Sequence, residues 1–269
     1  MGRNIVKAKL DIIFKTMFSK SENEDILHSF LSTMLELPYD SIKEIVIQNS
    51  EILPETITGK FSRLDLKMQV DDKLVNVEMQ IKNEPDFNDR VLYYWSKLYS
   101  GDLKSGDEYG DLKQSISINI INFNMFECPE FHSCFKVLEV NRHELLTDKC
   151  AIHFFELKKI NKNNRMELWL QLINAESEEE LEMLRQTNVP EIQKAVMVIH
   201  QMSEDEKIQE LARLREKALH DEASALGHAR REGEQIGIEK GMEKKEQEIA
   251  KRLKELGLSD DMIKAALNK

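Results

Sequence analysis

Two neighbouring stretches of this chain alternate strictly between apolar and polar residues. Over residues 63–70, Leu64, Leu66, Met68 and Val70 fall on one side and Arg63, Asp65, Lys67 and Gln69 on the other. Over residues 74–81, Val75, Val77, Met79 and Ile81 take the core side, while Asn76, Glu78 and Gln80 face outward with Asp65 and Lys67. A period of two is the mark of a half-buried strand. The connection Asp71-Asp72-Lys73 predicts a hairpin, in one of two registers. With Asp71 and Asp72 as the loop, Val70 pairs with Lys73 and Asp65 lies opposite Glu78. With Asp72 and Lys73 as the loop, Asp65 lies opposite Gln80 and diagonal to Glu78. Opposed side chains sit roughly 5 Å apart and diagonal ones about 7–8 Å. Either register gathers two carboxylates and an amide on one face.

Helical periodicity flanks the hairpin. Leu10, Phe14, Met17 and Phe18 form a stripe over residues 10–18, with Asp11 and Lys15 as an i, i+4 pair. A second helix starts near Ser21 or Asn23, runs through Ile26, Leu27, Phe30, Leu31 and Met34, and stops before Pro38. Residues 42–48 read as a strand with Ile45 and Ile47 inward, and Pro54 and Gly59 bracket a loop. Residues 88–103 read as a helix with Val91, Tyr94, Trp95 and Leu98 on its apolar stripe, followed by a glycine-marked loop. Residues 115–123 and 150–157 are strands. Strands mixed with long helices predict an α/β or α+β core over residues 1–160.

Beyond Arg165 the pattern is helical and highly charged: an extension over residues 161–225, then a tail over 226–269. In that tail Gly233, Gly237 and Gly241 recur every fourth residue. Each costs a water-exposed helix about 1 kcal/mol relative to Ala. The tail therefore reads either as a marginal exposed helix ordered by a partner, a second copy or another helix, or as a tight dimer seam along its small-residue face. Gly257 is a candidate C′ residue and Ser259 a candidate N-cap before a last short helix.

Charge and cysteine content narrow the function. The formal net charge of −11 rules out a globally basic nucleic-acid coat, so DNA binding has to be local or metal-assisted. Cys128, Cys134 and Cys150 are odd in number and lack metal-type spacing, which predicts reduced thiols. The seven histidines are scattered without ligand spacing, and His132 and His153 read as packing residues. No leader and no membrane-spanning run is expected, which makes the cytoplasm the default. On the hairpin face, two close carboxylates repel unless a cation is shared. Hard oxygen donors with room for water suit Mg2+ or Mn2+. The alternative is a solvated face balanced by Lys67 and Arg63.

Five segments in order carry a family resemblance: Asp11-Ile-Ile-Phe14-Lys15-Thr-Met-Phe18; Leu64-Asp65; Val77-Glu78-Met79-Gln80; Arg90-Val-Leu-Tyr-Tyr94-Trp95-Ser96-Lys-Leu-Tyr99; and Gly106 to Tyr109 before an Ile-rich strand. Together they resemble the recombination-promoting nuclease, or transposase-like, branch of the PD-(D/E)XK nuclease superfamily, over residues 8 to about 160. The resemblance implies a central mixed sheet flanked by helices and Mg2+-dependent cleavage of DNA, in recombination of mobile DNA or defence against foreign DNA. It implies that Asp65 and Glu78 hold the metal. It puts Gln80 where the wider superfamily has lysine, a substitution common in this branch. Asp11 and Lys15 fall on its N-terminal helix motif, and Arg90, Tyr94 and Trp95 on the helix after the hairpin.

Gln80 carries no charge, so it can only orient water or phosphate. The missing cation then comes from a second metal, from Lys67 or Lys82, or from Arg90. Asp11 is either a third acid near the metal or a helix-terminal cap or surface partner of Lys15. Arg90 either grips a phosphate bidentately or forms a structural salt bridge. Tyr94 is core or touches the site. Glu84, Asp86 and Asp89 read as solvated loop acids. A second functional class stays open: a non-cleaving interaction protein on the same fold, assembling through its helical tail.

Overall fold

The computed structural model describes residues 5–48, 66–103, 105–161 and 164–267. The predicted positions of Arg63, Leu64 and Asp65, and the loop bracketed by Pro54 and Gly59, lie outside the described residues. The chain divides into two compact units, Met1–Arg215 and Glu216–Lys269.

In the first unit a six-stranded mixed sheet has the order β1-β2-β3-β4-β6-β5. The strands are β1 (Ile45–Ile47), β2 (Leu66–Val70), β3 (Lys73–Gln80), β4 (Gln114–Ile121), β5 (His132–Phe135) and β6 (Cys150–Glu156). The three central strands β3, β4 and β6 are parallel, and β2, β1 and β5 pair antiparallel outside them. Central parallel strands are covered on both faces, which is why β4 reads as a nearly continuous buried run rather than a clean alternation.

The hairpin takes the first of its two predicted registers. Val70 pairs with Lys73, and Leu66 with Val77. Asp71 makes the turn at φ 51°, a left-handed conformation that Asp tolerates better than most residues. Its carboxylate accepts from the amides of Lys43 and Glu44, each at 2.9 Å, and so ties the turn to the entry of β1.

Helix α1 (Asp11–Ser19) and helix α2 (Glu24–Met34) match their predicted stripes, and Asn23 links them by donating to the carbonyl of Met17 at 2.7 Å. Helix α3 (Phe87–Ser100) is the crossover between β3 and β4 that a parallel pair needs. Its buried residues Phe87 and Val91 pack with Ile121, Phe123, Cys150, Ile152 and Phe154. On β3, the face beneath α3 is therefore the one carrying Asn76, Glu78 and Gln80. Val75, Val77, Ile118, Ile120 and Phe155 fill the other face, and α1 packs against β3.

Helices α4 (Arg165–Asn174), α5 (Glu178–Arg185) and α6 (Pro190–Glu204) complete this unit. Their starts follow local rules: the Asn164 cap accepts from the Glu167 amide, Ser177 and Glu180 form a capping box, and Pro190 opens α6. Trp169 of α4 is fully buried, with its ring centroid 5.8 Å from that of Phe30 and 6.3 Å from that of Phe18. Burying a large apolar side chain contributes roughly 1.5–3 kcal/mol, so this aromatic cluster fastens the helical extension to α1 and α2.

Helix α7 (Glu206–Glu255) begins in the first unit. Within the second unit it is exposed almost throughout, and nothing lies within 4 Å of a Cβ built on Gly233, Gly237 or Gly241. It ends as predicted: Gly257 adopts φ 86°, its amide donates to Lys254, and the Leu258 amide reaches back to Leu253, a Schellman motif. Ser259 then accepts from the Met262 amide to cap α8 (Asp260–Leu267). Among the described residues, no helix is long and apolar enough to cross a membrane.

Candidate active site

The polar face of β3 is the centre of the candidate site. Parallel pairing puts Glu78 beside Asn119 and Asn76 beside Ser117 on β4. On β2, Lys67 stands opposite Asn76. The face is only partly solvated, because α3 roofs part of it. Asn76 is 4% exposed and the Glu78 side chain 12%, against 26% for Arg90.

Arg90, one turn into α3, organises this pocket. Its Nη2 donates to Gln80 Oε1 at 2.8 Å and lies 3.6 Å from Glu78 Oε1. Its Nη1 pairs with Glu84. The guanidinium carbon sits 5.4 Å from the Phe87 ring centre, a cation–π contact that fixes its height above the strand. Gln80 is oriented from both ends, since its Nε2 donates to the Lys82 carbonyl at 2.8 Å. Glu84, an exposed loop acid as predicted, thus reaches this cluster through Arg90. Its distance of six residues from Arg90 gave no periodic signal.

The floor is polar and buried. Ser117, Asn119 and Ser115 are buried, with Asn119 donating to the His153 carbonyl at 3.0 Å. Among the described residues, Asn76 Oδ1, Ser115 Oγ and Arg90 Nε have no hydrogen-bond partner. Unpaired buried polar atoms cost about 1–3 kcal/mol each. The Ser and Asn positions alternate with isoleucines in β4. That pattern showed a strand, but not that its polar residues line a pocket floor.

The remaining predicted residues divide. Asp11 stands at the start of α1 and receives Arg215 bidentately, Nε at 3.0 Å and Nη2 at 2.7 Å. Lys15 is 2% exposed and buried on α1 with Phe14 and Phe18, which corrects the reading of a surface pair with Asp11. Lys67 and Lys82 are half-buried. Tyr94 is half-buried against Tyr93, while Trp95 donates to the Ser115 carbonyl at 2.8 Å and stacks on Tyr99. Asp65 lies outside the described residues.

The donors that fit a hard divalent cation on this face are the carboxylate of Glu78 and the amide oxygen of Gln80. Among the described residues, no group of three or more His, Cys, Asp or Glu side chains is arranged to hold one ion.

A second polar cluster escaped the sequence entirely. His132, His153 and Cys134 meet where β5 pairs with β6, with His132 Nε2 at 3.0 Å from His153 Nδ1 and Cys134 Sγ at 3.7 Å from His153 Nε2. Burial holds both imidazoles below their ordinary range, His153 down to about 4 with His132 and Lys136 acting in the same direction. Burial also pushes the Cys134 thiol up.

A mixed sheet with a parallel centre, helices on both faces and an acid–amide–arginine cluster on its central hairpin defines an α/β protein with a nuclease-like core. The chain belongs to a family of that kind: a model of the PD-(D/E)XK nuclease family transposases matches residues 8–229. That span takes in the sheet and helices α1 to α6, as well as the first part of α7. No curated protein and no solved structure matches the chain.

Proposed function

We propose that this protein is a metal-dependent DNA endonuclease that hydrolyses phosphodiester bonds, with Asp65 and Glu78 holding Mg2+ (or Mn2+) on the hairpin face. The observation that carries the proposal is the Val70–Lys73 register, the one of the two predicted in which Asp65 is expected opposite Glu78. Family membership supplies the reaction class. When bound, the cation supplies a nucleophilic water and neutralises charge on the phosphate.

The chain's own residues do the rest. Glu78 offers an oxygen donor on a rigid central strand, shielded from bulk water by α3. Gln80, held from both ends, orients a water or a phosphate oxygen by hydrogen bonding. Arg90 supplies the positive charge that Gln80 lacks: its donors now engage Gln80, Glu78 and Glu84, and a phosphate oxygen competes for them in a bidentate grip. Lys67 and Lys82 add charge along the same face for the DNA backbone, and Tyr94 borders it. Asp11, gripped by Arg215, serves to anchor α1, and Lys15 lies buried on the same helix. We further propose a role in recombination of mobile DNA or in defence against foreign DNA.

Supercoiled plasmid incubated with the full chain tests this. Nicking that depends on Mg2+ or Mn2+ and disappears in Asp65→Ala supports the proposal; nicking that survives both EDTA and that substitution rejects it.

A second reading is favoured by the exposure of α7 after Arg215: a protein that assembles, with itself or with another helix, through its tail. Size measurement of a chain ending near Lys217 separates the two. An assembly that persists without the tail counts against that reading.

A further inference from the structure

The geometry points to a second, chemically distinct site at the far edge of the sheet: Cys134 and His153 form a two-residue seat for a soft d10 cation, Zn2+ or Cu+, with His132 as the residue that positions it. This does not rest on the nuclease proposal, and none of its residues touches the hairpin face.

Strand pairing builds the seat. Cys134 and His153 are direct partners across β5 and β6, and His132 lies two residues before Cys134 on the same face. The sulfur and His153 Nε2 are 3.7 Å apart. Metal–sulfur and metal–nitrogen bonds of about 2.3 and 2.0–2.1 Å span that separation with an angle of about 115–120°. One ion therefore fits between them without moving the strands, leaving its other positions open. Among the described residues no group of three acids, cysteines or histidines encloses one ion, and His132 explains why: it lies on the other nitrogen of His153.

That placement is what a metal-binding imidazole requires. If His153 Nδ1–H donates to His132 Nε2, at 3.0 Å, then Nε2 carries its lone pair toward the thiol. The rings of His132, His153 and Phe155 lie within 9° of parallel, and Phe155 stacks on His132 at 4.4 Å. The donor's orientation is thus fixed before any ion arrives. Cys134 is exposed, so the seat is open to solvent. Thiolate with imidazole selects soft cations over Mg2+.

The test is anaerobic metal titration of the full chain, with Zn2+ against a chromophoric chelator and Cu+ against bathocuproine disulfonate. Wild type should take up one equivalent of at least one ion, with an absorption spectrum showing one sulfur and one nitrogen scatterer; the tighter arm identifies the ion. Cys134→Ser and His153→Gln should each weaken binding at least 100-fold, and Cys128→Ser should leave it unchanged. His132→Gln should weaken it by about 10–100-fold while keeping the same scatterers, as expected of a residue acting through another. Equal affinity in wild type and Cys134→Ser for both ions overturns the inference, as does equal loss in Cys128→Ser. Cys134→Ser is a conservative change at an exposed position, so unfolding does not obscure its result.

Discussion

Replacing Arg90 by alanine separates its structural work from its place in the candidate site. The Arg90 guanidinium lies 3.6 Å from Glu78 Oε1, which corresponds to an attraction of about 4–5 kcal/mol at an effective dielectric of about 20. Desolvation of both ions and the residual exposure of Arg90 offset much of that, leaving a net loss of roughly 2 kcal/mol when one partner is removed. In a unit of this size each kcal/mol moves Tm by about 2–4 °C, so Arg90→Ala should melt roughly 4–8 °C lower in EDTA. The variant also loses the cation that competes for Glu78. Millimolar Mg2+ should therefore raise its Tm by more than it raises that of wild type, because a ligand stabilises in proportion to its affinity for the folded state. Differential scanning calorimetry with and without Mg2+ reads both effects. A variant as stable as wild type in EDTA, or equal Mg2+ shifts in the two proteins, would refute the assignment of Arg90 as the occupant of an acidic cation site.

Two further outcomes concern stability. Trp169→Ala should cost about 3–5 kcal/mol in urea denaturation of the Met1–Arg215 unit, because it empties the contact with Phe18 and Phe30. Trp169→Phe should cost much less, since the indole N–H it removes is buried without a partner; equal costs would contradict this packing. His153 is held down to about 4, below its unfolded value near 6.5, so its contribution is present above pH 6.5 and is lost as pH falls toward 4. With allowance for its partial exposure the loss is on the order of 2 kcal/mol. His153→Gln should lack that acid limb in denaturation midpoints taken between pH 7 and 4, and identical profiles would remove His153 as the cause.

Particular residues show which features of the fold were legible in the sequence. The strict alternation around Asp71-Asp72 announced the β2–β3 hairpin, and short-range turn chemistry narrowed its register to two choices. Pairing with β1, tied down by the Asp71 carboxylate, accompanies the one adopted. Gly257 and Ser259 were readable because capping depends on a few neighbouring residues. Strand β5 was not: it is four residues long, contains Ser133 and Cys134, and gains its pairing from β6. Nor was the His132–Cys134–His153 cluster, because it arises from strands far apart in sequence and no spacing encodes it. The burial of Asn76 and the grip of Arg90 on Gln80 likewise depend on where α3 crosses the sheet. Helical periodicity gives the stripe of α3 but not its crossing position. Lys15 was read as a surface partner of Asp11 from its i, i+4 spacing, whereas it is buried along with Phe14, Met17 and Phe18.

The central claim is that Glu78 and Asp65 share one divalent cation that enables strand cleavage. The measurement that tests it most directly is plasmid nicking by wild type, Asp65→Ala and Glu78→Ala over a Mg2+ and Mn2+ titration, with folding of each variant checked by circular dichroism. The account predicts metal-dependent nicking by wild type and its loss in both folded variants. Nicking retained by either folded variant at the wild-type rate, or absent from wild type at every metal concentration, would contradict it.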